Sequence, residues 1–218
     1  MMKQQLSIEM FFDFICPWCL IGKRELHNAI KKLKKSHPDV EVLINWRGVQ
    51  LLPLIPTQGV PFKAFYLQRL GSATAVRIRQ GQVRQAAQSV GVDINFDLIP
   101  RMPNTGLAHD FFQKAAKISC SVQTDRLLEA IISAYFNHSE HINQLDVLMK
   151  IASYCGFSEE MIKAILVNKE TPFVSADTGG KGVPYFIFGG RLAIAGAQQA
   201  SVLYRAMLEM IEMQGQCV

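Results

Sequence analysis

Two cysteines, Cys16 and Cys19, stand with Pro17 and Trp18 between them where the apolar run Phe11-Phe12-Asp13-Phe14-Ile15 ends and a long helical pattern begins. That order reads as a strand feeding a helix whose first turn carries two thiols. With Cys16 as N-cap, Pro17 takes the first helical position, where its missing N–H costs nothing. The free backbone N–H groups of Trp18 and Cys19 are then expected to point back at the Cys16 sulfur. The positive end of the helix dipole acts at the same place. These effects favour thiolate over thiol and make Cys16 the expected nucleophile. Cys19 lies one turn further in, more sheltered and close enough to bridge back. An exposed nucleophile beside a sheltered resolving thiol is what dithiol–disulfide exchange needs.

A zinc half-site is the first rival for this spacing. A structural zinc takes four ligands, and Cys120, Cys155, Cys217 and the histidines supply no second close pair. No metal is expected. Five cysteines, three of them isolated, do not resemble a secreted disulfide framework. Cys120, Cys155 and Cys217 read as ordinary helix or tail residues.

A second feature is Gly182-Val183-Pro184, at the mouth of the apolar run Tyr185-Phe186-Ile187-Phe188. A proline there cannot donate to a sheet ladder. If its peptide bond is cis, the Val183 N–H and C=O turn outward and can pair with an extended substrate segment beside Cys16. An ordinary trans proline at a strand start is the plain alternative.

The elements that must position these groups can be read from periodicity. Leu6 to Ile15 reads as a buried strand and residues 17–36 as a helix with Leu20, Leu26, Ile30 and Leu33 inside. Val40 to Trp46 reads as a second strand, parallel to the first because a helical crossover joins them. A proline-punctuated loop follows from Leu51. Residues 62–169 show only helical patterns, at 62–71, 74–91, 105–118, 121–137, 143–155 and 158–168. Strand character returns at 183–188, turns at Gly189-Gly190 and pairs with 191–196, before a last helix at 198–213. The expected architecture is α/β: a discontinuous domain of residues 1–61 and 170–218, one small sheet with a helix on either face, and an all-helical insertion at 62–169.

The whole-chain chemistry excludes several classes. The 218 residues carry a net charge of +5, with the excess in the N-terminal half. Lys31, Lys32, Lys34 and Lys35 read as a solvated helix end that suits the dipole. No basic stripe interleaved with aromatics points to nucleic acid. No apolar run has transmembrane length. Met1-Met2-Lys3-Gln4-Gln5 leads into a strand pattern without the apolar core or cleavage site of a signal peptide. If residue 1 is the true start, a cytoplasmic location is expected; a removed signal followed by an added Met would look the same.

Phe-Asp-Phe-Ile-Cys-Pro-Trp-Cys near the start, with Gly182-Val183-Pro184-Tyr-Phe-Ile-Phe and Gly196-Ala197-Gln198 near the end, resembles the DsbA family of thioredoxin-fold thiol–disulfide oxidoreductases, and most closely its FrnE-like branch. Asn104-Thr105 with Ala108-His109 fits a segment of that branch. The resemblance spans the chain. It implies a thioredoxin fold, a redox-active Cys16–Cys19 pair, a cis peptide before Pro184, and substrate contacts from Pro17, Trp18, Val183 and Pro184. The same superfamily holds the kappa-class glutathione transferases and 2-hydroxychromene-2-carboxylate isomerase, in which a serine commonly replaces the first cysteine. Here that position is Cys16, which favours disulfide exchange. The family often buries an acid six residues before the first cysteine, where it aids proton transfer at the second. Here that residue is Met10, and strand alternation sets Asp13 and Glu9 on the opposite face. The proton acceptor for Cys19 is left to water, a carboxylate from elsewhere, or His109.

The expected activity is disulfide exchange on protein thiols or disulfides, with no resident cofactor. A reducing cytosol favours the reductase or isomerase direction. A glutathione-dependent isomerase or transferase is the alternative enzyme reading, with glutathione as co-substrate. A non-enzymatic binding module using the apolar surface around Trp18 is the third.

Overall fold

A computed structural model describes residues 4–168 and 172–215. In chain order the elements are β1 (Gln4–Phe12), α1 (Pro17–Ser36), β2 (Val40–Gly48), β3 (Val60–Pro61), α2 (Phe62–Leu70), α3 (Ala73–Gln88), β4 (Arg101–Met102), α4 (Gly106–Ile118), α5 (Ser121–His138), α6 (Leu145–Tyr154), α7 (Glu159–Val167), β5 (Tyr185–Phe188), β6 (Leu192–Ala195) and α8 (Ala200–Gly215). They fall into two compact units that divide at Val49/Gln50 and Ser175/Ala176.

The first unit holds a four-stranded sheet in the order β2-β1-β5-β6. β1 runs parallel to β2 and antiparallel to β5, and β5 to β6 is a hairpin. Leu6, Ile8 and Met10 share one face of β1, and Met10 and Ile8 lie opposite Phe186 and Phe188 of β5; all five are buried. This apolar layer receives α1. α1 and α8 pack on each other: the Ala200 N–H donates to Glu25 Oε2 at 2.9 Å, and Lys32 Nζ lies 4.4 Å from the Tyr204 ring centroid. Two helices in mutual contact over one sheet share a face. The expected arrangement with one helix on either face is therefore incorrect for α1 and α8. The lysine-rich end of α1 is exposed, and Lys34 and Lys35 sit in its last turn, where the dipole favours cations.

The second unit, Gln50–Ser175, contains α2 to α7 and one short antiparallel ribbon. Val60 pairs with Met102 and Pro61 with Arg101. The helical block was expected to lack strands and to begin at residue 62. The ribbon corrects both expectations, because its register ties 60–61 to 101–102 and draws the preceding loop into this unit. The other expected boundary, at 169/170, lies outside the described residues. Among the described residues no helix is long and apolar enough to cross a membrane.

Candidate active site

β1 stops at Phe12, three residues earlier than the hydrophobic run suggests. The chain then turns: the Cys16 N–H donates to the Asp13 carbonyl at 3.1 Å, and Pro17 opens α1. Cys16 is the N-cap in extended conformation, with φ −90° and ψ 107°. Its carbonyl accepts from the Cys19 N–H at 3.0 Å and from the Leu20 N–H at 3.4 Å. The Cys16 side chain makes no capping hydrogen bond. The expectation that the Trp18 and Cys19 N–H groups aim at the sulfur is corrected for Cys19, whose N–H closes on the Cys16 carbonyl.

The sulfur turns instead toward the loop before β5. Cys16 Sγ donates to the Val183 carbonyl across 3.7 Å, within the longer reach of a sulfur donor. The Val183–Pro184 peptide bond is cis. Pro184 is buried and Val183 half-buried. The Pro184 carbonyl is fixed by the Gly196 N–H at 2.8 Å, which ties this loop to the far end of the hairpin. Cys16 is only 7% exposed, so its sequence reading as an exposed thiol is also corrected; the Val183 carbonyl lies against it. Pro17 and Trp18 are half-buried at the same helix start.

Gly22, two residues into the second turn of α1, makes this approach possible. A Cβ there would stand 2.9 Å from Pro184 Cγ, 3.2 Å from Phe186 Cζ and 3.3 Å from Pro184 Cβ. Glycine inside a helix costs about 1 kcal/mol relative to alanine, so its presence is a signal of close packing that a reading of motifs passes over.

Cys16 and Cys19 are free thiols. Cys19 is fully enclosed, and burial pushes its thiol well above the ordinary range. Its hydrogen bond with Cys16 and the Cys16 charge push the same way. The Asp13 backbone N–H, donating to the Cys19 sulfur, pulls it down, and the Asp13 charge pushes it up. Asp13 itself is 0% exposed. β1 ends at Phe12, so Asp13 lies in the turn that follows the strand and not within the strand itself. Lys23, one helical turn after Cys19, is 1% exposed, with Nζ 5.9 Å from the Trp46 ring centroid. Lys23 is three residues from both Leu20 and Leu26, and that spacing alone places it on the buried face of α1.

The remaining candidates lie in the second unit. Cys120 is exposed at the N-cap of α5, and Cys155 is buried at the C-cap of α6, where burial raises its thiol. Cys217 lies outside the described residues. His109 is buried in α4 with its ring stacked on Phe173, centroids 4.8 Å apart. Asn104 organises the start of α4. Its Oδ1 accepts from Gln50 Nε2 at 2.7 Å and the Gly106 N–H at 2.9 Å, and its Nδ2 donates to the Ile55 carbonyl at 2.6 Å.

Residues 7–207 match the family model of the DSBA-like thioredoxin domain. The chain belongs to that family. Among curated proteins it is 26% identical over 212 residues to the uncharacterized protein YwbO of Bacillus subtilis, covering 93% of this chain and 96% of that one. Its fold is that of a probable DsbA oxidoreductase from Streptomyces coelicolor, at TM-score 0.77 and 22% identity, covering 95% of this chain and 90% of the other. The cytosolic disulfide reductase DsbM of Pseudomonas aeruginosa, also solved with GSH, is similar at TM-score 0.59 and 16% identity, covering 97% of this chain and all of that one. The DsbA-like thioredoxin fold read from the two ends of the chain is thus the observed one, and these relatives agree with the FrnE-like branch.

Proposed function

We propose that the protein exchanges disulfides with other proteins through Cys16 and Cys19. The observation that carries this reading is the meeting of two free thiols at the start of α1 with the Val183 carbonyl 3.7 Å from Cys16 Sγ. In the reducing direction the Cys16 thiolate attacks a substrate disulfide. One substrate sulfur leaves as thiolate and the other becomes disulfide-bonded to Cys16. Cys19, after losing its proton, attacks Cys16, closes the Cys16–Cys19 disulfide and releases the second substrate thiolate. The two electrons that reduce the substrate come from the two cysteines. Two glutathione thiols can return the pair to the dithiol, leaving oxidised glutathione.

Burial of both sulfurs supports the order of events. Cys19, the deeper of the two, is held protonated by its surroundings until the mixed disulfide forms. Pro17, Trp18 and Val183, half-buried near Cys16, form the surface an extended substrate chain would meet, with buried Pro184 next to Val183. Trp18 brings no charge, so the pair is expected to be less oxidising than one with a protonatable histidine there. In a cytoplasm with a glutathione poise of about −220 to −320 mV such a pair works as reductase or isomerase.

Insulin reduction and refolding of scrambled ribonuclease, run on wild type and Cys16→Ser together, test the reading. Wild type should catalyse both and Cys16→Ser neither. Glutathione-dependent turnover of a small aromatic substrate that persists in Cys16→Ser would instead favour the isomerase or transferase reading.

A further inference from the structure

We propose that the second unit carries a docking groove for a short amphipathic helix of another protein, one with a stripe of large apolar side chains and carboxylates at both ends of it. Neither Cys16 nor Cys19 takes part, so the proposal goes beyond disulfide exchange and does not depend on it.

The groove lies between the loop 51–56, Val60 of β3 and α2, and has a volume of about 750 Å³. One wall follows from spacing. Pro61 caps α2, and Ala64, Phe65 and Gln68 stand three, four and seven residues after it, which is one stripe of a helix. Gln68 is the one lining residue with a polar side chain. The opposite wall is the loop, and it is fixed from several sides. The Ile55 N–H donates to the Leu52 carbonyl at 3.2 Å and the Gly59 N–H to the Pro56 carbonyl at 2.8 Å. Asn104 Nδ2 donates to the Ile55 carbonyl at 2.6 Å, and Asn143 Nδ2 to the Thr57 carbonyl. Arg101 donates to the Gln58 and Gly59 carbonyls at 2.9 and 3.0 Å. A wall held this way is formed before anything binds, which lowers the cost of association. Leu54 nonetheless stands 95% exposed.

Hydrogen bonding selects the conformation of the occupant. Pro53, Pro56 and Pro61 have no N–H, and the loop carbonyls just named are already engaged. An extended chain laid here would lose water from its own N–H and C=O groups without gaining partners. A helix satisfies its backbone internally and presents only side chains. The stripe from Pro61 to Gln68 is about 10 Å long at about 1.5 Å per residue, the span from i to i+7 on a partner helix. Exposure selects the size of the occupant. Of the lining residues only Ile55 is buried, so the groove is open along one side. A small-molecule site covers about 70–90% of its ligand. An open groove instead covers one stripe of a helix and leaves the other face in water.

Charge selects the ends. Residues 50–92 hold Lys63, Arg69, Arg77, Arg79 and Arg84 and no Asp or Glu. Arg69 follows Gln68 at one end of the stripe and is exposed, and Arg101 pairs with Pro61 across the β3–β4 ribbon at the other. Arg84 is held 3.3 Å from Asp97, whereas the hydrogen bonds of Arg101 named above go to uncharged carbonyls. Cations at both ends of an apolar stripe match carboxylates at both ends of an apolar helix face.

The full-length protein is titrated into a fluorescein-labelled, cysteine-free peptide, with binding read by anisotropy. The peptide has about 18 residues, enough to hold a helix, with leucines at i, i+3, i+4 and i+7 between glutamates at both ends. Saturable binding is expected. The same peptide with two central prolines should bind at least about tenfold more weakly. Lysines in place of the glutamates should also weaken binding. Leu54→Ser, which changes a side chain the fold does not bury, should weaken it about tenfold. Arg69→Glu should weaken it about threefold in about 0.05 M salt, with the gap narrowing at about 0.5 M. Tyr154→Ser, at an 87% exposed position at the end of α6, should bind as wild type does. Binding that does not saturate, that the proline peptide shares, or that Leu54→Ser and Arg69→Glu leave unchanged overturns the proposal. Dodecanoate bound more tightly than the peptide and lost in Leu54→Ser would assign the groove to a small amphiphile and overturn it. A dimer of the protein that Leu54→Ser abolishes would assign the groove to a second copy and overturn it as well.

Discussion

Adding one methyl group at Gly22 should damage both stability and activity, against the usual preference of helices for alanine. The new Cβ would meet Pro184 Cγ at 2.9 Å and Phe186 Cζ at 3.2 Å. Comfortable carbon contacts lie at roughly 3.5–4.0 Å, so a separation of about 0.5–1 Å is required. Neither neighbour has room to yield: Pro184 and Phe186 are buried, and the proline ring is rigid. Overpacking of this kind costs about 1–3 kcal/mol. The gain in helix propensity offsets about 1 kcal/mol. The net expectation for Gly22→Ala is a loss of roughly 0–2 kcal/mol. The response that relieves the clash moves the start of α1 away from the Pro184 loop and widens the 3.7 Å approach of Cys16 Sγ to the Val183 carbonyl. A misplacement of about 1 Å at a reacting centre can cost up to about 10²-fold in rate, so insulin reduction should fall at least several-fold. Gly81, inside α3 with open space where its Cβ would stand, is the matched control. Gly81→Ala should stabilise by about 0.5–1 kcal/mol. Urea denaturation of both variants and initial rates of insulin reduction read the two effects. A Gly22→Ala protein as stabilised as Gly81→Ala, with wild-type activity, would refute the close approach of α1 to Pro184.

Three further outcomes are expected. The raised thiols of Cys19 and Cys155 bind protons more tightly folded than unfolded, so their contribution to stability is complete below the unfolded-state value, about 8.5, and is lost as pH rises from there toward the folded values. Urea titrations of the reduced protein should therefore show stability falling above about pH 8.5, less steeply in Cys19→Ala; a flat profile would contradict the burial argument. Cys19→Ser should accumulate mixed disulfides that dithiothreitol removes on non-reducing gels of cell extracts, and equal adducts in Cys16→Ser would point to another cysteine. Asn104→Ala removes three hydrogen bonds at the start of α4 and should cost about 2–3 kcal/mol at roughly 1 kcal/mol each; a change within about 0.5 kcal/mol in urea denaturation would mean that this network carries little.

The sheet-forming ends of the chain are legible in sequence because each has a strong local signal. β1, α1 and β2 follow from an apolar run, Pro17 at the helix start and a second apolar run, and the β5–β6 hairpin follows from Gly189-Gly190 between short apolar segments. The β3–β4 ribbon is two residues per strand, too short for any period, and exists through pairing across forty residues of chain. Period-two reasoning does not extend to Asp13, because β1 ends one residue before it. Lys23 is legible by spacing, three residues from both Leu20 and Leu26 on the buried face of α1, although lysine as a residue type favours solvent. Burial of Cys16 depends on the Val183 carbonyl, some 170 residues away in sequence, which nothing local to Cys16 encodes. Side chains that touch only through tertiary contact are the part that periodicity cannot reach.

Disulfide exchange by this protein requires Cys16 and Cys19 to act as one two-electron couple. Equilibrating the full-length chain across a series of glutathione buffers, quenching with acid, alkylating and mapping the peptides by mass measures this directly. The predicted result is one cooperative transition in which Cys16 and Cys19 lose and regain their alkylation together, linked to each other in the oxidised form, while Cys155 is unchanged. Independent titration of the two cysteines, or glutathione adducts on Cys16 at every poise with no Cys16–Cys19 link, would contradict it.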